Sequence, residues 1–281
     1  MAVSRSISPS YSLACDAFRK GFRATFAAAL PLASLLAPPI GNASGTAELE
    51  EIVVTASLRP AGIGEFPVST TVLDADTLEA AGLQHLQDVL GLVPNLNWSG
   101  GTSRPRYFQL RGVGELEQYQ GAPNPSVGFL IDDIDFSGVG MPATSFDVEQ
   151  VEVLRGPQGT RYGANALAGL INVHTRNARP ERELHTELTA GEDGMLAAGL
   201  VAGGALGAAG VEQGAWRLAV QQSESDGFRH NRYLGRDDTN GRDELTVRAK
   251  LAFEPSTAWQ VGLTLLHADF DNGFDAFAPD N

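Results

Sequence analysis

From Glu183 onward, apolar and polar residues alternate with a period of two. Leu184, Thr186 and Leu188 are interleaved with His185, Glu187 and Thr189. Trp216, Leu218 and Val220 are interleaved with Arg217, Ala219 and Gln221. Leu245, Val247, Ala249, Leu251 and Phe253 alternate with Thr246, Arg248 and Lys250, and Trp259, Val261, Leu263 and Leu265 with Gln260, Gly262 and Thr264. A fifth run covers Met195–Leu206. Period two means strands whose two faces meet different surroundings. Each run is about as long as the 9–11 residues of a membrane-crossing β-strand. Apolar-out, polar-in alternation with Trp216 and Trp259 at strand ends fits a transmembrane barrel. A soluble β-sandwich with one wet face has the same period, and periodicity alone does not choose. The connections favour the barrel. Glu254–Ala258 is short and Glu224–Asp243 is long and charged, the asymmetry of barrel turns and outer loops. Gly207–Gly214, on the short-turn side, is longer than that pattern asks.

Before Glu183 the period changes. Val68–Leu73 alternates weakly as a strand. Asp74 or Asp76 is placed to cap a short helix that Gly82 ends. Leu86, Val89 and Leu90 lie at i, i+3 and i+4, one apolar helix face, stopped by Pro94. Tyr107–Arg111 and Val127–Ile131 read as strands, with Gly- and Pro-rich loops at Ser99–Arg106 and Glu115–Ser126. The stretch Asp147–Thr175 sets Val148, Val151 and Val153 before a turn at Arg155-Gly156-Pro157, and Leu170, Ile171 and Val173 after it. It predicts a strand, a turn, a short helix and a strand. Residues 59–178 thus form an α+β domain large enough for one small core.

Composition narrows the chemistry. The 281 residues carry a formal charge of −14. Residues 1–43 hold a net +3, so the remainder stands at −17, which argues against nucleic acid. Arg19, Lys20 and Arg23 precede the apolar Ala24–Ala37, with small residues Gly41 and Ala43 after it. This is the form of a secretory signal. The single cysteine, Cys15, lies inside it, so a mature form has no thiol chemistry. Asp132, Asp133 and Asp135 make a short DxD cluster that could bind a divalent cation. Turn-forming aspartates between Val127–Ile131 and Ile134–Phe136 explain it more simply. The histidines have no ligand spacing, and Gly156–Gly163 lacks the Lys-Ser/Thr end of a phosphate loop. No residue pattern requires covalent chemistry, so none is expected.

Two stretches carry a family resemblance. Asp147–Thr175, DVEQVEVLRGPQGTRYGANALAGLINVHT, resembles the segment that ends the plug domain of TonB-dependent outer-membrane receptors. Glu50, Glu51, Ile52, Val53, Val54, Thr55 and Ala56 resemble the TonB box of that family. The box lies just before Pro60, Gly62 and Gly64, and an extended segment on a tether can add a strand to a partner's sheet. The resemblance implies an α+β plug followed by the first antiparallel strands of a transmembrane β-barrel. Residues 1–43 are then a signal peptide, 44–58 the TonB box and linker, 59–178 the plug, and 183–281 the start of the barrel.

It further implies active uptake of a scarce large solute, most often a ferric siderophore, across the outer membrane of a Gram-negative cell. The partners are the periplasmic domain of TonB, outer-membrane lipid and a small-molecule metal chelate, with no nucleic acid. No cofactor is held covalently, and iron enters only as part of the cargo. Glu152 and Arg155 are expected to pair with charges on the barrel wall. Arg104, Arg106, Tyr107, Tyr119 and Gln120, in the upper loops, are expected to meet ligand, Arg through bidentate hydrogen bonds. A barrel around a plug has about 22 strands, and an open edge in lipid leaves backbone groups unpaired. Five strands therefore read as part of a longer chain. The competing reading is a soluble periplasmic or surface binding module.

Overall fold

The structure is a computed structural model that describes residues 53–54, 61–62, 68–100, 103–116, 125–139, 144–207, 214–233, 235–256 and 259–273. All of them belong to one compact unit, Glu51–Asn281. The signal segment and most of the box lie outside the described residues. Two short strands, β1 (Val53–Val54) and β2 (Ala61–Gly62), pair antiparallel.

The α+β domain begins with β3 (Ser69–Asp74) and helices α1 (Ala75–Ala81) and α2 (Leu86–Leu90). Next come β4 (Leu96–Ser99), β5 (Tyr107–Leu110), β6 (Val127–Ile131) and β7 (Ile134–Asp135). It ends with β8 (Val148–Arg155), α3 (Gly159–Tyr162) and β9 (Gly169–Thr175). The strands β3-β8-β9-β6-β7 make one mixed sheet in that order, with β6 parallel to β9. One face of the sheet meets the helices. Leu86, Val89 and Leu90 are at most 1% exposed and pack with Val151, Val153, Ile171 and Val173. Full burial of a side chain of this size contributes about 2 kcal/mol.

Local chemistry explains the boundaries. Asp74 is the N-cap of α1, its carboxylate accepting from the Thr77 N–H at 2.8 Å. Gly82 closes the helix in the left-handed region, at φ 62°. The hydrogen bonds from Thr77 hold the Asp74 carboxyl below its ordinary range. Its folded value is depressed, so its contribution is complete above the unfolded carboxylate range and disappears as pH falls through the depressed value. Asp74→Ala is expected to cost about 1 kcal/mol near neutral pH. In denaturant titrations the difference from wild type should vanish in acid.

Asp132 and Asp133, at φ 48° and 64°, form the two-residue turn between β6 and β7. That is the conformation a tight hairpin demands of both central residues. Gly156, at φ 104°, turns the chain after β8, and its N–H donates to Ala168 O at 2.9 Å. β4 alternates over only four residues, too short a run to announce a strand, and forms by pairing along β5.

The second part is an antiparallel meander: β10 (Glu183–Ala190), β11 (Leu196–Ala205) and β12 (Gly214–Ser225), then β15 (Arg242–Ser256) and β16 (Trp259–Phe270). The hairpin β13 (Arg229–Asn231) and β14 (Arg236–Thr239) occupies the long connection that the sequence presents as a loop. Its strands are polar throughout, so no apolar period marks them. The five-stranded sheet is open among the described residues, with β10 and β16 at its edges. Its two faces differ as the alternation requires. Ala215, Arg217, Ala219 and Gln221 are buried against the α+β domain. Leu184, Leu188, Leu263 and Leu265 point the other way, 75%, 65%, 47% and 59% exposed. No helix among the described residues is long and apolar enough to cross a membrane.

Candidate functional site

The seam between the α+β domain and the inner face of the strands concentrates the buried charge. Register brings Glu183, Arg217 and Lys250 into one row across β10, β12 and β15, with Arg248 one inward position along. Two aspartates of the α+β domain meet this row. Asp147, just before β8, is held at φ 59°. Arg217 clasps it with Nε at 3.1 Å and Nη2 at 2.5 Å, and donates to Glu183 through Nη1 at 2.6 Å. Such a forked arrangement is the strong, directional form of an ion pair. Asp147 and Arg217 side chains are only 4% and 5% exposed. Arg248 lies 3.8 Å from the same carboxylate and donates to the Phe146 carbonyl.

The second aspartate, Asp132, accepts from the Thr175 N–H at 2.9 Å and hydroxyl at 2.7 Å, and pairs with Lys250 Nζ at 2.9 Å. Lys250 also donates to the Thr175 carbonyl at 2.9 Å. The three carboxylates and three cations balance, which is what burial of charge requires. Beside the clasps, Phe146 enters the strand face over Val201 and Ala219, one inward position along from Arg217. Gly199 gives it room, since a Cβ there would fall within the ring.

Further along the seam the packing opens into a polar cleft of about 580 Å³. His85, Asp88 and Gln84 face Arg242, Glu244 and Gln221 across it. His85 Nε2 stands 3.6 Å from Glu244, and Gln221 donates to Gln84 at 3.1 Å. The clasps hold one side of the seam closely, while the cleft side is joined by longer and mostly neutral contacts.

The residues singled out in the sequence fall in several places. Val53 and Val54 form β1. Glu50, Glu51, Ile52, Thr55 and Ala56, with Tyr119 and Gln120, lie outside the described residues. Arg104 sits 4.3 Å over the Phe270 ring, at the end of β16. Arg106 donates to the Gly138 carbonyl through Nη2 at 3.0 Å, and Tyr107 is buried. The structure therefore gives Arg106 and Tyr107 internal roles, while their meeting a ligand stays a proposal. Arg155 donates to Thr71 Oγ1 at 2.8 Å and to the Pro94 carbonyl at 3.1 Å. Glu152, fully buried, accepts from Gln150 and lies 3.8 Å from His174. These contacts are internal to the α+β domain, and the wall pairing implied for Glu152 and Arg155 also stays a proposal. Of the clasp residues the sequence offers only Asp132 as a candidate, in a cation cluster or a turn; Asp147, Arg217, Arg248 and Lys250 belong to no candidate site there. Their signal was present as charged side chains on the inward alternation of β12 and β15.

Residues 63–170 match the family model of the TonB-dependent receptor plug domain. Residues 63–170 are a TonB-dependent receptor plug domain, and antiparallel strands follow it. The pesticin receptor of Yersinia pestis is 35% identical over 150 residues, 52% of this chain and 22% of that one. The vitamin B12 transporter BtuB of Vibrio vulnificus is 30% identical over 209 residues, 71% of this chain and 32% of that one. Among solved structures, the ferric yersiniabactin uptake receptor FyuA from Yersinia pestis superposes with a TM-score of 0.61 at 26% identity, over 72% of this chain and 31% of that one. The chain thus spans between about a fifth and a third of the length of these curated relatives. The seam thus joins the plug domain to the inner face of the five-stranded sheet.

Proposed function

We propose that this chain serves TonB-dependent uptake of a scarce, large solute, a ferric siderophore, across the outer membrane of a Gram-negative cell. The observation that carries the reading is the plug match over residues 63–170, joined to strands whose polar inner face clasps that plug. Solute binds between the outer loops and the plug apex, where Arg104, Arg106, Tyr107, Tyr119 and Gln120 are the contact candidates. TonB pairs with residues 50–56 and pulls, and the plug yields along the seam. Residues 1–43 direct export, and Glu152 and Arg155 add to plug retention when wall charges face them. No step asks the chain to make or break a covalent bond, and it needs no cofactor of its own. Iron passes only as chelated cargo. A soluble binding module would leave the outward Leu184, Leu188, Leu263 and Leu265 in water, whereas contiguous exposed apolar surface marks an interaction or membrane face.

Val53→Pro removes a backbone donor from the box. Cells carrying it are expected to lose accumulation of radiolabelled iron from a panel of ferric chelates, while chelate binding to the purified receptor stays unchanged. Wild-type accumulation would remove the coupling role from the box.

A further inference from the structure

On the outward face of the sheet, register sets Gly204, Trp216, Leu251 and Leu263 in one row. Arg182, just before β10, extends that row. Its Cα and Cγ stand 3.7 Å from where a Cβ on Gly204 would lie. The next outward row, two residues along, is Leu184, Ala202, Leu218, Ala249 and Leu265. Glycine and alanine between larger neighbours leave a trough of about 620 Å³, bordered by Arg182, Leu184 and Trp216. Arg182 is exposed and Trp216 half-buried, and neither side chain has a hydrogen-bond or ion-pair partner among the described residues. Glu183, the one acid in the lining, turns inward and is given to Arg217. The trough thus has an apolar end at Leu184, 75% exposed, and an unpaired guanidinium at the other.

We propose that this trough seats one acyl chain of an anionic glycerophospholipid, with the lipid phosphate on Arg182 and the ester region against the Trp216 indole. The proposal rests on the outer-membrane reading given above, which sets the outward rows in lipid.

Depth and charge both suit that occupant. Trp259 stands at the same end of the sheet as Trp216. Indoles settle at the level of the headgroups, with the ring among the chains and the N–H toward polar groups. The Leu184 row lies two residues, about 7 Å, further from that end. A phosphate at Arg182 therefore leaves its acyl chain running past Gly204 and Ala202 toward Leu184 and Leu218. The guanidinium meets a phosphate through two parallel N–H donors and is more weakly hydrated than an ammonium, which favours it at an interface. The charge of the headgroup follows from the lining. A zwitterionic head brings its own ammonium, which needs a carboxylate, and Glu183 is engaged in the seam. A head with net negative charge needs only Arg182.

The test uses the receptor chain purified in detergent micelles and titrated with phosphatidylglycerol or phosphatidylethanolamine. Native mass spectrometry counts the lipid retained. Arg182→Gln removes the charge from an exposed side chain. It is expected to weaken phosphatidylglycerol binding about fivefold, the scale of one basic residue at a membrane surface, and to leave phosphatidylethanolamine binding unchanged. Ala202→Leu places a longer apolar side chain in the trough, on the face away from the seam, and is expected to displace the retained lipid while the denaturant midpoint holds. Unchanged phosphatidylglycerol binding in both variants overturns the proposal. Equal losses of the two lipids in Arg182→Gln also overturn it, because headgroup charge would not be what is recognised. A chain recovered from cells in soluble form, without detergent, would remove the outer-membrane reading itself, and the lipid with it.

Discussion

Replacing Arg217 with alanine is expected to destabilise the plug in its seat by about 3–5 kcal/mol, the scale of removing one partner from a buried ion pair. The guanidinium is the single group that satisfies Asp147 from two nitrogens and Glu183 from Nη1 and Nη2 together. Its loss leaves the Asp147 carboxylate 4% exposed, with Arg248 at 3.8 Å as the nearest remaining cation. That distance is too long for a direct hydrogen bond. Arg217→Lys keeps the charge and loses the fork, so it should cost less but remain clearly destabilising. Denaturant titration of the detergent-solubilised receptor measures the loss, and limited proteolysis reports whether the plug has left the wall. Asp147→Asn in the Arg217→Ala background should restore part of the stability, because the orphaned charge is gone. A loss below about 1 kcal/mol for Arg217→Ala would place the pair in the range of exposed salt bridges. The clasp would then be reached by water and would not hold the plug.

The sequence announces both halves of this seam but not their meeting. Period-two alternation marks four of the five wall strands, with a fifth run over Met195–Leu206, and puts Arg217, Arg248 and Lys250 on the inward face, because side-chain direction follows from strand geometry alone. Asp132 was legible as a turn residue, and its left-handed φ bears that reading out. What the turn does for it was not legible. The tight hairpin aims its carboxylate at Thr175 and Lys250, which lie 43 and 118 positions further along the chain. Distant pairing of this kind depends on the docking of plug against wall, which no local pattern encodes. The same limit applies to Glu152 and Arg155. Two charges beside an apolar strand end must be satisfied, and the structure describes Gln150, His174, Thr71 and Pro94 doing so within the plug. The hairpin inside the long connection carries no periodic signal because its strands are polar on both faces.

The apolar contact beside the clasps is expected to matter as much as the charges. Phe146 is 6% exposed and packs on Val201 and Ala219, on a wall face otherwise lined with polar groups. Phe146→Ala should cost about 3–5 kcal/mol, the transfer loss plus the cavity it leaves. Gly199 is the complementary position. Any Cβ there overlaps the Phe146 ring, so Gly199→Ala should push the aromatic ring off the wall. Overpacking of this kind typically costs about 1–3 kcal/mol. The two changes should compensate when combined, because alanine at 199 extends into the space vacated at 146. The double variant is then expected to lose less than the sum of the singles by about 1 kcal/mol or more, the size of coupling seen between residues in contact. A strictly additive result from the denaturant titrations would mean that Phe146 does not occupy the Gly199 hollow. Seating of the plug would then rest on the two charge clasps alone.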